Sequence, residues 1–404
     1  MPEAIPQEVS LAGSRINWRD LFAETISDID INSDFDYIIK KISLGISLDL
    51  NDGLYLYNHW DVNSIAIIAN KVKEARFDSR AFFNLNVHIN QTNICTLACK
   101  FCAFRRGRNS PDAYALSIDE YLREVANYDG LVDEIHSVGG LHPDWDVNYY
   151  EELFSKVKKF YPDIHLKALT AVEIKHIAEI SSLSIEEVLR KLQNAGLDSL
   201  PGGGAEILDD DVRKVICNGK ESSAEYLEIH SIAHSLGIPT NCTMLFGTIE
   251  STEQRINHMI KLRDCQNMTG GFQCFVPYPY LPDNSRLPEA NLATGIEILK
   301  TISISRLILD NIPHIKAYRM NLGDHISELA LRYGADDIDG TVHMESIMHL
   351  AGSKAPLKHS MSKMARIIND SGCRAIRRNT TYTEFEEIVP EELPFTMKLP
   401  MSSE

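Results

Sequence analysis

Long apolar runs, an export signal and an excess of basic charge are all missing from this sequence. No stretch approaches the roughly eighteen uninterrupted apolar residues that a membrane-spanning helix needs. Residues 1–20 lack the basic-then-apolar layout of a signal peptide. The 40 Lys and Arg residues are outnumbered by 57 Asp and Glu, for a formal net charge of −17. We therefore expect a cytoplasmic protein that binds neither nucleic acid nor a membrane.

The chain is long enough, at 404 residues, for one large or two medium domains. Residues 1–80 carry apolar positions at helical spacing over 34–48 and 62–76, with a predicted turn at 51–53, which indicates an N-terminal helical cap. From residue 85 short β-branched or apolar runs alternate with amphipathic stretches. The predicted strands are 85–90, 134–139, 164–170, 197–200, 240–246, 272–276, 314–318 and 337–342.

Helical patterns separate these strands at 117–126, 148–160, 185–195, 224–236, 253–267 and 295–310. Eight strands alternating with helices predict an α/β fold, most economically a (β/α)8 TIM-type barrel over residues 81–350. A doubly wound open sheet is the alternative. Residues 351–404 no longer follow the barrel rhythm, and a helical pattern at 359–369 predicts a C-terminal helical extension.

Three of the eight cysteines crowd into one loop, as Cys95-x-x-x-Cys99-x-x-Cys102. The loop follows the first predicted strand, so it lies at the carboxyl end of the barrel, where barrel active sites are found. A structural zinc site needs four ligands, and no histidine stands nearby at zinc-finger spacing. Three thiolates suit a [4Fe–4S] cluster with one iron left open, since thiolates hold such clusters.

This motif, with Phe101 before the third cysteine, resembles that of the radical S-adenosylmethionine superfamily. The resemblance implies that the open iron binds S-adenosylmethionine and that the reduced cluster cleaves it to a 5′-deoxyadenosyl radical. It also implies that Gly139 and Gly140, at the end of the second strand, receive the methionine amino group through backbone carbonyls. Beyond the cluster ligands Cys95, Cys99 and Cys102, it implies no catalytic acid or base.

Longer stretches resemble one branch, the aminofutalosine synthase family of the futalosine route to menaquinone. They are residues 90–95, 139–143, 167–174, 196–206 and 314–318, and the resemblance covers about 40 to 385. It implies a transferase that adds the adenosyl radical to 3-[(1-carboxyvinyl)oxy]benzoate and yields 6-amino-6-deoxyfutalosine, methionine and bicarbonate. A low-potential electron donor such as flavodoxin or ferredoxin is the implied partner.

Two relatives and one different class remain open at this point. Cyclic dehypoxanthinylfutalosine synthase and the radical enzymes of deazaflavin (F0) biosynthesis share the cysteine loop and the Pro-Gly-Gly-Gly-Ala-Glu run at 201–206. A passive iron–sulfur electron carrier is the non-enzyme alternative. Electron carriers normally complete the cluster with a fourth cysteine, and none stands near the loop.

Strand-end positions provide the remaining candidate site residues. For the cofactor they are Glu206, whose carboxylate suits ribose hydroxyls, Glu173 after the third strand and Gly247 after the fifth. The substrate carries two carboxylates, so cationic or hydrogen-bonding partners are expected. The candidates for that role are His142, Ser199 and Arg319, of which Arg319 stands where the branch would lead us to expect an aromatic residue.

Overall fold

The computed structural model describes residues 13–391. The chain begins with a helical segment, as predicted, in which four helices pack around one apolar cluster. The turn predicted at 51–53 is wrong, because Asp49 caps a helix that continues through Gly53. A β-carbon on Gly53 would lie 2.7 Å from Ile256, so the glycine serves close helix packing. The helices are α1 (Trp18–Ile26), α2 (Asp36–Ser43), α3 (Leu50–Asn58) and α4 (Val62–Phe77).

A ring of parallel strands follows, which confirms the barrel. Hydrogen bonds join the strands in the orders β2-β3-β4 and β1-β8-β7-β6-β5. Bridges at Ser199 and Leu200 connect β4 to β5, and this short link replaces the predicted strand 197–200. The strands are β1 (Arg80–Phe83), β2 (Asn86–His88), β3 (Glu134–Ser137), β4 (His165–Ala168), β5 (Thr240–Phe246), β6 (Phe272–Pro279), β7 (His314–Ala317) and β8 (Asp337–Ile338).

The ring closes between its last and first strands. The N–H groups of Thr341 and His343 donate to the carbonyls of Asn84 and Asn86, both at 3.2 Å, and the N–H of His88 donates to Met344. An open doubly wound sheet would leave these edges unpaired, so that alternative does not apply.

Ten helices lie between the barrel strands and over the barrel mouth. Ser117 and Ser184 form capping boxes with Glu120 and Glu187, which explains why the sequence pattern located these helix starts well. No helix within residues 13–391 is long and apolar enough to cross a membrane. The helices are α5 (Ile118–Ala126), α6 (Val147–Phe160), α7 (Ala171–Ser181), α8 (Ile185–Ala195), α9 (Asp210–Ile216), α10 (Ser223–Ser235), α11 (Thr252–Thr269), α12 (Gly295–Ile308), α13 (Arg319–Ala330) and α14 (Ile347–Leu350).

The C-terminal extension is only partly helical, which corrects the prediction. After α15 (Met361–Asp370) the chain forms β9 (Arg374–Arg378), parallel to β1, and β10 (Phe385–Glu387), antiparallel to β9. The sequence analysis did not predict β9 because of its arginines, since charged runs are depleted in strands. Each arginine has a carboxylate partner: Arg374 pairs with Glu387, Arg377 with Asp133 and Arg378 with Asp337. The extension therefore closes the end of the barrel opposite the cysteine loop.

Candidate active site

One cavity of about 290 Å³ runs into the barrel from the carboxyl ends of its strands. The three motif cysteines line it at the mouth, together with Phe101 and Phe104. Strand residues line its deep end, among them His88, His136, Lys167 and Lys316. This is the position where barrel folds build their active sites.

Backbone contacts hold the cysteine loop against the barrel. The N–H of Cys95 donates to the carbonyl of Arg106 at 3.0 Å, and the N–H of Thr96 donates to Leu141 at 3.1 Å. The guanidinium of Arg286 donates to the carbonyls of Ala98 and Cys99, at 2.9 and 3.2 Å. The loop is thus fixed by its own continuation at Arg106, by the segment after β3 and by the segment after β6.

The donor set fits an iron–sulfur cluster better than a single ion. Within residues 13–391, no three His, Cys, Asp or Glu side chains are grouped as the ligands of one metal ion. A cluster binds each thiolate to a different iron, so its ligands surround a volume. Burial raises the pKa of the Cys99 thiol to about 12 and also raises the pKa of Cys102. These thiols would ionise on binding iron, since a coordinating thiol is deprotonated by the metal.

The other five cysteines lie outside this cavity as free buried thiols. The cavity therefore offers three thiol ligands, which leaves one corner of a four-iron cluster for another ligand. The five are Cys217, Cys242, Cys265, Cys274 and Cys373.

Gly139 and Gly140 line the cavity beside the cysteine loop. A β-carbon on Gly140 would lie 2.2 Å from the carbonyl oxygen of Ile94, a contact that no side chain tolerates. The N–H of Gly140 donates to Thr92 at 2.8 Å. Gly140 is required because two backbone segments meet here. Close packing against the cysteine loop therefore explains a glycine at this position.

Glu173 lines the cavity but its carboxylate is fully engaged within the protein. One oxygen accepts from the N–H of Gly139 at 2.9 Å and from the Gln91 amide at 3.1 Å. The other accepts from the N–H and hydroxyl of Thr170, both at 2.7 Å. Burial raises its pKa against these four donors. Glu173 therefore ties the start of α7 to the strand end at Gly139.

Glu206 faces the cavity in a left-handed backbone conformation, with φ at 43°. Its carboxylate pairs with Lys220, whose ammonium lies 5.4 Å from the centre of the Phe101 ring. Burial lowers the pKa of Lys220, but the carboxylates of Glu206 and Glu221 outweigh burial and raise it well above its ordinary value, so this lysine stays charged. The sequence reasoning missed Lys220, which stands on an irregular segment after α9 with no periodic signal.

Four predicted site residues do not line the cavity. Gly247 donates its N–H to Glu250 beyond the end of β5. His142 stacks on Trp145 at 4.3 Å between ring centres, and its Nδ1 accepts from the N–H of Asp144. Ser199 is fully buried and bonds His165 at 2.7 Å.

Arg319 is also fully buried, where it donates to the carbonyl of Pro356 and pairs with Asp324. His142, Ser199 and Arg319, the residues predicted to bind the substrate, are thus absent from the lining of this cavity, and their role stays a prediction. Their described side-chain hydrogen bonds are made to neighbouring protein groups outside the cavity.

The polar side chains that line the deep part of the cavity come from the barrel strands. His88, His136 and Lys167 are in register across β2, β3 and β4, and Lys316 lies on β7. Side chains alternate between the interior and exterior of a barrel strand. A charged or polar residue in the middle of a short buried strand was the available signal, and the sequence analysis did not use it.

Two family models match the chain. The radical SAM superfamily model matches residues 89–263, and the CofH/MqnC C-terminal region model matches residues 269–392. The first covers the cysteine loop and the Gly-Gly and Pro-Gly-Gly-Gly segments of the cavity. The second covers the last barrel strands and the extension that closes the barrel.

Curated relatives match over most of the chain. Aminodeoxyfutalosine synthase of Thermus thermophilus is 40% identical over 86% of this chain and 95% of its own. Cyclic dehypoxanthine futalosine synthase of Streptomyces coelicolor is 37% identical over 87% and 88%. The 5-amino-6-(D-ribitylamino)uracil–L-tyrosine 4-hydroxyphenyl transferase of Methanothermobacter thermautotrophicus is 39% identical over 81% and 91%.

Among solved structures, methylornithine synthase matches the fold with a TM-score of 0.67 at 19% identity, over 83% of this chain and 96% of that one. The sequence matches, the three-cysteine mouth and the barrel agree with one another. The chain belongs to the radical S-adenosylmethionine superfamily, as an enzyme that works with a [4Fe–4S] cluster and S-adenosylmethionine.

Proposed function

We propose that the enzyme is an aminodeoxyfutalosine synthase of menaquinone biosynthesis. It would convert 3-[(1-carboxyvinyl)oxy]benzoate, S-adenosylmethionine and water to 6-amino-6-deoxyfutalosine, methionine and bicarbonate. The observation that carries this proposal is the 40% identity to an enzyme of that name along 95% of its length. The margin over the two related activities is narrow, at 37% and 39% identity. Sequence identity alone therefore separates these three activities poorly, and the proposal also draws on the chemistry of the cavity.

The mouth of the cavity supplies the cofactor site in this proposal. Cys95, Cys99 and Cys102 would hold the cluster, and the strand end at Gly139 and Gly140 would present its carbonyls to the methionine amino group. When bound and reduced, the cluster supplies the electron that cleaves S-adenosylmethionine to the 5′-deoxyadenosyl radical.

Glu206 and Lys220, beside the cysteine loop, would hold the nucleoside in the same scheme. Glu206 stands beside Lys220 and accepts one of its N–H groups. Its other carboxylate oxygen has no described hydrogen-bond partner and suits a ribose hydroxyl. Phe101 adds an apolar ring to the lining of the cavity.

The apolar wall of the cavity suits an enzyme that has to protect a radical. The cavity is lined by Leu97, Phe104, Leu141 and Val276, among other apolar side chains. Such a wall excludes water and leaves positioning as the main task of the protein. Glu173, the carboxylate nearest the strand end, is bonded to four donors and so is not available as a proton acceptor.

A low-potential electron donor such as flavodoxin or ferredoxin completes the proposal. The cysteine loop supports electron entry from outside, because Thr96 and Ala98 are exposed beside the buried Cys99. Reduction of the cluster therefore does not require the donor to enter the barrel.

A product assay tests the proposed function. The protein is reconstituted without air, reduced with dithionite and given S-adenosylmethionine and 3-[(1-carboxyvinyl)oxy]benzoate, and the products are followed by mass spectrometry. We expect a product that contains the adenosine skeleton, with methionine formed in step. Cys99→Ser should abolish it, whereas Cys265→Ser, a buried thiol outside the cavity, should not.

Other outcomes redirect the assignment. Formation of 5′-deoxyadenosine with the benzoate ether unchanged would favour the cyclic dehypoxanthine futalosine synthase or the tyrosine-dependent activity. Supplying the substrates of those two reactions to the same preparation separates them.

A further inference from the structure

The deep end of the cavity contains two buried lysines, each held by one carboxylate. Lys167 on β4 donates to Glu134 on β3 at 2.9 Å. The ammonium of Lys316 on β7 lies 3.1 Å from the carboxylate of Asp337 on β8. Lys167, Lys316 and Glu134 all line the cavity. We call Lys167, Lys316, Glu134, Asp337 and Arg378 the floor cluster.

The extension strand β9 contributes the fifth member of the floor cluster. Arg378 donates to both carboxylate oxygens of Asp337, at 2.7 and 3.1 Å. The hydroxyl of Tyr382 also donates to Asp337, at 3.0 Å, and the hydroxyl of Thr380 donates to Glu134 at 2.8 Å. The carboxylates of Asp337 and Glu134 therefore each interact with donors from the extension as well as with a lysine.

The floor cluster carries one positive charge in excess. Three cations, Lys167, Lys316 and Arg378, share two carboxylates, and all five side chains are buried. A buried charge without a partner is costly in free energy. The arrangement therefore favours an anion that enters from the cavity.

The other carboxylates that line the cavity are bound elsewhere. Glu206 pairs with Lys220, and Glu173 accepts from four donors around Gly139. Glu345 accepts the N–H groups of Ile347 and Met348 at the start of α14. Asp339 accepts the N–H groups of Arg319 and Met320. None of them is bonded to the floor lysines.

Hydrogen-bond donors remain unused at the floor. An ammonium group carries three N–H donors, and one carboxylate partner is described for each lysine. The rings of His88 and His136 stack 4.5 Å apart, and His136 is in register with Lys167. Burial lowers the pKa of His136 to about 4, so its ring is neutral and offers one N–H. No side-chain hydrogen bond of His136 occurs among the described residues.

We propose that Lys167, Lys316 and His136 bind a carboxylate of the substrate at the cavity floor, and thereby select small acids that reach from the cysteine loop to the floor. The inference deepens the proposed function. It rests on that function only for the identity of the molecule that carries the carboxylate. The alkene of 3-[(1-carboxyvinyl)oxy]benzoate has to face the cofactor at the mouth. Its ring carboxylate is then the one that points to the floor.

Steady-state kinetics and equilibrium binding on the reconstituted enzyme test this inference. In Lys316→Met we expect KM for the dicarboxylate to rise at least tenfold, with kcat changed less than threefold. Lys316→Arg should restore KM to within threefold, because the charge is kept. The ring methyl ester should bind wild type and Lys316→Met equally weakly. Lys175→Met removes a lysine from a surface pair with Glu225 and is the matched control.

A second variant guards against loss of folding. Lys316→Met leaves Asp337 with Arg378 and Tyr382, but Lys167→Met alone would leave Glu134 buried with Thr380 as its remaining donor. Lys167→Met combined with Glu134→Gln removes both charges at once. We expect this pair to raise KM as Lys316→Met does, with the iron content of the wild type.

The outcomes separate this inference from the proposed function. Unchanged KM and affinity in both floor variants would overturn the floor site, even if 6-amino-6-deoxyfutalosine is formed. If wild type does not convert the dicarboxylate but binds benzoate in a way that depends on Lys316, the floor site stands and the proposed function fails.

Discussion

At the scale of single residues, the cavity is built from polar groups whose partners are distant in the chain. Glu173 joins α7 to the end of β3 and to Gln91 before the cysteine loop. Such a carboxylate is a structural clamp, since each of its oxygens accepts two hydrogen bonds. Its value to the enzyme lies in the geometry it imposes on Gly139.

Glu173→Gln should test this clamp. The amide nitrogen must face two donors whichever way it turns, so we expect the free energy of unfolding to fall by about 2 kcal/mol, the cost of leaving buried donors unsatisfied. We also expect weaker S-adenosylmethionine binding. Chemical denaturation and equilibrium binding measure the two effects.

Glu120→Gln is the matched control, because Glu120 forms the same type of capping box at the exposed start of α5. It should change stability by less than about 0.5 kcal/mol. Equal effects of the two changes would show that Glu173 is an ordinary helix cap.

At the scale of elements, the cysteine loop and the end of β3 are one unit. Two backbone hydrogen bonds cross between them, from Thr96 to Leu141 and from Gly140 to Thr92. Arg286 adds contacts from the segment after β6. The positions of the three thiols therefore depend on segments that lie far apart in the chain.

Gly140→Ala should disturb the thiols without touching a cysteine. The new methyl group would collide with the carbonyl of Ile94, one residue before Cys95, and the loop would have to move. We expect iron content after reconstitution to fall below half of the wild-type value. Gly107→Ala, in the same loop but with its nearest neighbour 3.7 Å away, should load normally. Full iron loading of Gly140→Ala would contradict this account.

At the scale of the whole molecule, the C-terminal extension belongs to the barrel. β9 pairs with β1 along four residues, and Arg378, Thr380 and Tyr382 bind the carboxylates of the floor cluster. The extension thus acts on the cavity from the side opposite the cofactor.

Truncation after residue 372 should therefore damage the barrel itself. It removes β9 and β10 and leaves Asp337 and Glu134 buried with fewer donors, so we expect a loss of several kcal/mol in stability and a lower Tm. Glu386→Gln, which removes only an exposed ion pair between β10 and Arg377, is the control and should leave Tm nearly unchanged. A truncation after residue 372 that leaves Tm unchanged would show that the extension is dispensable.

Buried neutral histidines predict the pH dependence of stability. Burial lowers the pKa of six histidines to about 3 or 4, whereas an unfolded histidine titrates near 6.5. Their stabilising contribution is complete above pH 6.5 and is lost as pH falls towards 4, since the unfolded state binds more protons there. The six are His88, His136, His165, His230, His234 and His258.

Each such proton contributes a slope of about 1.4 kcal/mol per pH unit. Asp339, whose pKa is raised to about 6 by burial, opposes the trend, because its contribution is lost as pH rises through 6. We expect the free energy of unfolding to fall steeply between pH 6.5 and 4.5 in urea titrations. His258→Gln should reduce that slope, and an unchanged slope would exclude His258 as a contributor.

Local patterns predicted much of this molecule. The barrel strands and most helix starts follow from short-range alternation, glycine stops and capping residues, which act within a few residues. The extension strand β9 was not predicted, because its arginines acquire their carboxylate partners only in the folded chain. Those partners are Asp133, Asp337 and Glu387. Of the predicted site residues, Phe101, Glu173 and Glu206 line the cavity, whereas His142, Ser199 and Arg319 do not.

By itself, the sequence determined the kind of chemistry and the frame that carries it. Three cysteines within eight residues directly after a strand put three thiols in one loop at the carboxyl end of that strand, because their spacing is local. Only the tertiary structure decided which polar groups face the cavity. Lys167, Lys316 and His136 point inwards because of the register between strands that are far apart in the chain, and that register arises when the barrel closes.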